Sequence, residues 1–169
     1  MIFFGIISNK KDFNIIKLEI EKSIKDASII LIDKENIENL QNIKFEALII
    51  NSEINLDNKS IVFLQKICKN LKYLIVNTDK NTYVNILNND RICIITYGLN
   101  HKCTVTASSI KEENIMIALQ REIIDRYGHL MIIGEKRVKP IENLDIYGTM
   151  TIFIIKLLYL KNMQIWTKK

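Results

Sequence analysis

Residues 73–110 read YLIVNTDKNTYVNILNNDRICIITYGLNHKCTVTASSI, and the pattern of apolar residues changes within this segment. An apolar run at 73–77 ends in Asn77-Thr78-Asp79, and a second run at 92–97 leads into Gly98. Continuous apolar runs of this length are typical of strands that are buried on both faces of a parallel sheet. From residue 103 onward apolar and polar residues alternate, which is typical of strands with one buried face. We therefore expect a parallel sheet that continues into an antiparallel extension.

The rest of the first half repeats the alternation of strand and helix. Apolar runs predict strands at 3–8, 28–32 and 47–51, in addition to those at 73–77 and 92–97. Apolar residues at helical spacing predict helices at 11–26, 59–70 and 81–87, and a short helix or turn at 34–41. This alternation indicates a three-layer α/β domain with a mainly parallel sheet of about five strands.

The second half carries alternating segments and one long apolar helix. Strands are predicted at 103–109, 115–119 and 130–138, with residues 127–129 as a turn before the last of them. Asn143 or Asp145 can cap a closing helix that runs to about residue 163. Because this helix is apolar on nearly all sides, we expect the sheet or a second copy of the chain to enclose it. With no linker or repeat between the halves, residues 1–169 are predicted to form one domain.

The composition is that of an ordinary globular protein, with 48% apolar and 25% charged residues. The net charge of +5 comes from lysines spread over the chain rather than from clustered arginines and aromatics, so we expect no nucleic-acid partner. The apolar runs at 1–7 and 146–160 are too short to span a bilayer, and the second contains Lys156. We therefore expect no membrane partner.

The cysteines and histidines indicate neither a metal site nor a catalytic base. The three cysteines lack the spacing of metal ligands, which favours a reduced, cytoplasmic protein. Cys68 and Cys93 are expected to be buried, whereas Cys103 lies near a turn and is expected to react faster with a thiol reagent. His101 and His129 both fall in turns and are interpreted as surface residues. We predict no catalytic residue and no metal.

The order of elements in residues 73–110 resembles the later half of the central domain of the Mur ligases, ATP-dependent enzymes that add amino acids to peptidoglycan precursors. In that family a strand ending in an Asn-x-Asp-Asp-like element is followed by a strand ending in Tyr-Gly or Phe-Gly, and then by β-hairpins. Residues 143–151, NLDIYGTMT, resemble the segment where an Asn-x-x-Asn element opens the last helix, with Asp145 and Gly148 at the asparagine positions. The resemblance implies a bacterial protein with this fold. In the family one of these asparagines contacts the nucleotide base, and because both are absent here we do not expect that contact.

The loop after the first strand departs from the family. The Mur ligases carry a P-loop there, whose glycines, lysine and Ser/Thr bind phosphate and magnesium. Residues 5–12 read GIISNKKD, with no glycine after the strand and no lysine followed by serine or threonine. Ser8, Asn9 and Lys10 could still present a helix N-terminus to an anion, but a capping turn with solvated lysines is favoured. We predict no cofactor.

Asn77 and Asp79 end the fourth strand at the edge of the sheet where a site would lie. Hydrogen bonds to the turn are favoured over contact with a ligand. Gly98 is expected to adopt a backbone conformation that is closed to other residues.

We interpret the chain as a non-catalytic Mur ligase-like binding or interaction module that has lost ATP binding. Its expected partner is a protein or a small molecule, and whether it forms a homo-oligomer stays open. The alternative is a small nucleotide- or metabolite-binding enzyme, linked to cell-wall precursor metabolism, that uses the strand ends near Ser8, Asn51, Asn77 and Asp79.

Overall fold

The computed structural model describes residues 1–81, 91–161 and 163. The first half consists of β1 (Ile2–Ile7), α1 (Lys10–Ser23), β2 (Ala27–Leu31), α2 (Ile37–Leu40), β3 (Ala47–Ile50), α3 (Asn58–Cys68), β4 (Tyr73–Asn77) and β5 (Cys93–Gly98). The second half consists of β6 (Val105–Ile110), β7 (Ile115–Leu119), β8 (Ile123–Ile124), β9 (Leu130–Met131), β10 (Gly134–Val138) and α4 (Ile146–Tyr159).

Eight strands form one sheet in the order β10-β7-β6-β5-β4-β3-β1-β2, and β8 and β9 form a separate hairpin. This confirms the fold class: a mainly parallel sheet, an antiparallel extension and a closing helix. Within this extension β6 pairs in parallel with β5, and β7 is antiparallel to both β6 and β10, so β7 alone among the eight described strands of the sheet runs the other way. The loop between β5 and β6 is too short for a full crossover. Consequently β6 begins where β5 ends, and the two strands overlap only at Tyr97↔Val105 and Gly98↔Thr106.

The parallel strands are apolar on both faces because helices cover both sides. Phe4 and Ile6 of β1 pack with α1 and α4, whereas Ile7 packs with α2 and α3. The same alternation continues in β3, where Ile49 joins the first cluster and Leu48 the second. Since successive side chains of a strand point to opposite faces, a strand between two helical layers must be apolar throughout.

The closing helix α4 lies in the α1 layer and is enclosed as predicted. Asp145 is the N-cap, and its carboxylate accepts a hydrogen bond from the backbone N–H of Gly148 at 2.7 Å. At the other end of the helix, Tyr159 makes an edge-on contact with Phe4, with ring centroids 4.7 Å apart. Phe153 is 3% exposed. The enclosure comes from the chain's own sheet and α1, so the helix does not require a second copy.

The β8–β9 hairpin is held together by Asp125, which is buried. Its carboxylate accepts hydrogen bonds from the backbone N–H groups of Tyr127 and His129, each at 2.8 Å, and lies 2.9 Å from Nδ1 of His129. Gly128 supplies the positive φ of 88° that this turn requires, which confirms the predicted turn. Burial opposes ionisation of Asp125, but the hydrogen bonds from the His129 ring and from the two N–H groups outweigh it and lower its pKa.

Several predicted element boundaries and two predicted cysteine exposures differ from the structure. The strand expected at 130–138 is divided into β9 and β10, and the helix expected at 81–87 lies almost entirely outside the described residues. Cys68 is buried as predicted, whereas Cys93 is only partly buried. The prediction for Cys103 was wrong: its side chain points inward from the turn, with Sγ 3.1 Å from Oγ1 of Thr78, and is 4% exposed. In the described part of the chain, no helix has the length and apolar character needed to cross a membrane.

Replacement of Phe153 by alanine tests the packing of α4. We expect Phe153→Ala to cost about 3–5 kcal/mol, because it removes a buried ring from between the sheet and α1. Leu18→Ala is the matched control, since Leu18 is 70% exposed on α1. Chemical denaturation gives both free energies of unfolding. A cost for Phe153→Ala below about 1 kcal/mol would show that α4 is peripheral.

The Asp125 carboxylate predicts a specific dependence of stability on pH. A carboxyl group with a lowered pKa in the folded chain stabilises the fold above its unfolded-state pKa, and this contribution disappears as the pH falls through the folded-state pKa. We expect Asp125→Asn to be less stable than the wild type by about 1–3 kcal/mol at about pH 6. The difference should narrow once the pH falls below the ordinary carboxyl value of 3.8.

Urea denaturation at a series of pH values measures this difference directly. Glu113→Gln, which alters an exposed carboxylate, is the control and should follow the wild type throughout. A difference between Asp125→Asn and wild type that stays constant down to low pH would contradict the role assigned to the Asp125 charge.

Candidate functional site

The sheet reverses its direction of growth at β1, which pairs with β2 on one side and with β3 on the other. In open α/β sheets, ligands bind beyond the carboxyl ends of the strands at such a switch point. Ser8 follows β1 and Asn51 follows β3, so these two residues flank the position where a ligand is expected.

Hydrogen bonds between side chains occupy this position. Asn51 is fully buried, and its Nδ2 donates to Oγ of Ser8 at 3.2 Å. Its Oδ1 accepts a hydrogen bond from the hydroxyl of Tyr97 at 2.8 Å, and Thr151 Oγ1 lies 2.8 Å from the Tyr97 hydroxyl and 3.2 Å from Asn51 Oδ1. We call Ser8, Asn51, Tyr97 and Thr151 the switch-point cluster. It joins β1, β3 and β5 to α4 and satisfies the polar atoms at the centre of the edge.

Burial also fixes the chemical state of Tyr97. Its ring is fully buried, and burial raises the pKa of its hydroxyl far above the ordinary value of 10.0. The carboxylates of Asp145 and Asp12 act in the same direction, against a lowering by the hydrogen bond with Thr151. Tyr97 is therefore a neutral phenol that donates its hydroxyl hydrogen to Asn51.

The N-terminus of α1, where a phosphate would bind in a P-loop protein, carries its own acid. Oδ1 of Asn9 accepts a hydrogen bond from the backbone N–H of Asp12 at 2.9 Å, and Nδ2 of Asn9 donates to the Asp12 carboxylate at 2.6 Å. Asp12 is buried in the first turn, whereas Asn9 and Lys10 are exposed. A carboxylate in this turn satisfies the helix dipole and repels a second anion.

Asn77 and Asp79 shape the end of β4. The buried Asn77 donates from Nδ2 to the carbonyl of Asn51 at 3.2 Å, and its Oδ1 accepts from the N–H of Asp79 at 3.1 Å. The exposed Asp79 accepts hydrogen bonds from the N–H of Leu99 at 2.7 Å and from the hydroxyl of Tyr147 at 3.1 Å, both through Oδ2. Both side chains therefore hold neighbouring segments of the chain together.

Gly98 is required for close approach rather than for an unusual backbone angle. The prediction of a special conformation was wrong, because only Gly128 among the glycines has a positive φ. A Cβ atom on Gly98 would lie 2.6 Å from Oδ1 and 2.7 Å from Cγ of Asp79. The Asp79 carboxylate packs directly on the backbone of residue 98, and a larger side chain there would displace it.

Comparison with solved structures identifies the fold. MurF from Acinetobacter baumannii matches 93% of this chain with a TM-score of 0.56 and 9% identity, and a second MurF structure from this organism matches 97% with a TM-score of 0.54 and 8% identity. UDP-N-acetylmuramate-alanine ligase MurC from Thermotoga maritima matches 91% with a TM-score of 0.55 and 11% identity. The fold is Mur ligase-like.

The likeness is confined to the fold. The chain spans 42% of each MurF chain and 40% of the MurC chain that it matches. No protein-family model and no curated protein matches the sequence.

In the segment that resembles the Asn-x-x-Asn element of the Mur ligases, the Asp145 side chain also contacts other residues of the chain. Asp145 caps α4 through Oδ1, and its Oδ2 lies 3.2 Å from the ammonium of Lys80. The same ammonium lies 4.6 Å from the centre of the Tyr147 ring. This places a carboxylate and its counter-charge beside the first turn of α4, whereas Gly148 offers no side chain.

The structure separates the predicted site residues into three sets. Ser8 and Asn77 are joined through Asn51, whereas Asn9 and Lys10 lie at the start of α1 and Asp79 points toward Leu99 and Tyr147. Thr151, Tyr97 and Tyr147 were not predicted as site residues from the sequence. A hydroxyl within a helix that is otherwise apolar on all sides is a signal that could have identified Thr151. Within the described residues, no group of three or more His, Cys, Asp or Glu could hold a metal ion.

The contact between Gly98 and Asp79 can be tested with a double-mutant cycle. We expect Gly98→Ala to cost about 1–3 kcal/mol, because Asp79 can move away only by breaking its bonds to Leu99 and Tyr147. In the Asp79→Ala background the same substitution should cost much less. Denaturant unfolding of the four proteins gives the coupling energy. Costs that simply add would show that the two residues do not restrict each other.

Proposed function

We propose that this protein is a non-catalytic, Mur ligase-like binding module that has lost ATP binding and acts in the cytoplasm through a partner molecule. The fold supports a relation to ligases such as UDP-N-acetylmuramate-alanine ligase. Because the sequence identity to these ligases is low and the chain covers less than half of their length, the proposal rests on this chain's own residues.

The observation that carries this proposal is the Asn9–Asp12 pair at the N-terminus of α1. A nucleotide phosphate at this position needs free backbone N–H groups and positive charge. Here the Asn9 side chain takes the N–H of Asp12, and the Asp12 carboxylate supplies negative charge in the first turn. Lys10 is exposed and offers one cation without the glycine-rich backbone of a P-loop.

The switch-point cluster supports the same conclusion by a separate route. A ligand that entered between β1 and β3 would have to replace the hydrogen bonds of Asn51 with Ser8, Tyr97 and Thr151. These groups are buried, so any bond that the ligand failed to replace would cost about 1–3 kcal/mol. The binding free energy of a nucleotide at this edge would therefore be reduced by the cost of breaking these internal hydrogen bonds.

The segment around Asp145 gives no replacement for base recognition. The base contact that the Mur resemblance implies would come from the positions of Asp145 and Gly148. Asp145 is committed to the N-cap and to Lys80, and glycine has no side chain to read a base. Phosphate and base recognition are thus lost at two separate places in the chain.

Titration calorimetry with ATP and magnesium tests the proposal. We expect no saturable heat at nucleotide concentrations up to about 1 mM, since both phosphate and base contacts are absent. Thermal unfolding in the same mixtures is an independent measurement, because a ligand at 100 times its dissociation constant adds about 2.7 kcal/mol of stability.

A micromolar dissociation constant would contradict the loss of ATP binding. In that event Lys10→Ala, with Lys25→Ala as the matched control on an exposed lysine, would show whether the first loop is the site. Weakened binding in Lys10→Ala alone would favour the alternative of a small nucleotide-binding enzyme.

A further inference from the structure

The two edges of the sheet differ in how their backbone groups are satisfied. At the β2 edge, Oε1 of Glu21 accepts a hydrogen bond from the N–H of Ile29 at 3.1 Å, so the chain covers part of this edge itself. At the β10 edge, no hydrogen bond reaches the outer backbone of residues 134–138 from any part of the chain that the structure describes. An edge strand with free N–H and C=O groups can pair with an added strand.

A basic groove lies beside the open edge. It has a volume of about 250 Å³ between β10, α1 and α4, with an apolar floor that includes Ile141, Ile152 and Phe153. Its lining residues include four cationic side chains, Lys136, Arg137, Lys139 and Lys156. Among the described lining residues the single acid is Glu19, which pairs with Lys156 at 3.5 Å.

From these observations we propose that β10 and this groove bind an extended, acidic segment of another protein, which pairs with β10 as an additional strand. The side chains of an added strand alternate between the two faces of the sheet. Those on the face of Lys136 and Val138 would enter the groove, where apolar groups meet the floor. Acidic groups, which then lie on the opposite face of the segment, would meet Arg137 and Lys139 beside the one acid of β10, Glu135, and this excess of positive charge selects against basic strands.

A second copy of this chain is a poorer match for the same edge. Pairing β10 with its own copy would bring Lys136, Arg137 and Lys139 of two chains together, and Glu135, the one acid of β10, would offset only part of this positive charge. Like charges opposite each other destabilise a pair of strands. The charge of β10 therefore favours an acidic partner over self-association.

This inference rests on the proposed binding role, to which it adds a site and a class of partner. The probe is a fluorescein-labelled peptide of about eight residues that alternates valine and glutamate, long enough to span β10. The control peptide has lysine in place of glutamate. Fluorescence anisotropy with the full chain measures both affinities, and NMR of the ¹⁵N-labelled chain identifies the amides that the peptide shifts.

We expect the glutamate peptide to bind with shifts concentrated in residues 134–139 and the lysine peptide not to bind. The variant Arg137→Glu with Lys139→Glu should weaken binding by about tenfold or more, because it replaces attraction by repulsion. The matched control, Lys25→Glu with Lys69→Glu, changes the net charge equally at exposed positions elsewhere and should bind like the wild type. Circular dichroism confirms that both variants are folded.

Four outcomes would overturn the proposal: no saturable binding below about 1 mM, equal binding of both peptides, equal weakening in the two charge variants, or shifts at β2 instead of β10. The proposal would also be rejected if an oligothymidylate bound more tightly than the glutamate peptide and lost its binding in the variant with Arg137→Glu and Lys139→Glu. That result would assign the groove to nucleic acid. The peptide titration contains no nucleotide, so a peptide that does not bind would reject the β10 site without contradicting the proposed loss of ATP binding. ATP binding in the calorimeter would likewise leave the β10 site standing.

Discussion

The hydrogen bonds of Asn51 are the constraint on which the carboxyl edge of the sheet depends. A buried amide must find partners for both its oxygen and its nitrogen, and Asn51 finds them in Ser8, Tyr97 and Thr151. These partners come from β1, β5 and α4, so one side chain fixes the relative positions of three elements. The side chain of Asn77 donates a hydrogen bond to the Asn51 carbonyl, which fixes the end of β4 against the end of β3. The cost of leaving any of these groups unpaired makes the arrangement cooperative.

The strands and the closing helix could be predicted because each has a simple pattern. β4 and β7 were predicted with the bounds that the structure shows, since a strand between two helical layers must be continuously apolar and a strand with one buried face must alternate. The direction of β6 could not be predicted this way, because an alternating strand has the same pattern in either direction. In the structure β6 starts beside the end of β5 and continues in the same direction, so that the two strands overlap by only two residues.

The site was harder to predict because its contacts join distant parts of the chain. Thr151 and Asn51 are 100 residues apart, and nothing in the local pattern of either residue specifies the other. Gly98 shows the same limit. A glycine at a strand end usually indicates a backbone conformation, whereas this one makes room for Asp79, 19 positions before it in the sequence. Turns and helix caps could be predicted because their hydrogen bonds join residues that are close in the sequence. The confirmed turn at 127–129 and the N-cap at Asp145 are examples.

A ligand-binding fold can lose its ligand without losing its architecture if internal contacts replace those of the ligand. In this chain Asp12 supplies the negative charge that a phosphate would bring to the N-terminus of α1, and Asn51 supplies the hydrogen bonds at the switch point. Asp145 likewise satisfies the first turn of α4. On the function proposed here, these internal contacts take the place of ligand contacts at the carboxyl edge. Among the described residues, the outer backbone of β10 accepts and donates no hydrogen bond, and the groove beside it has four cations against one acid, which is why the proposed partner site is assigned to this end of the sheet.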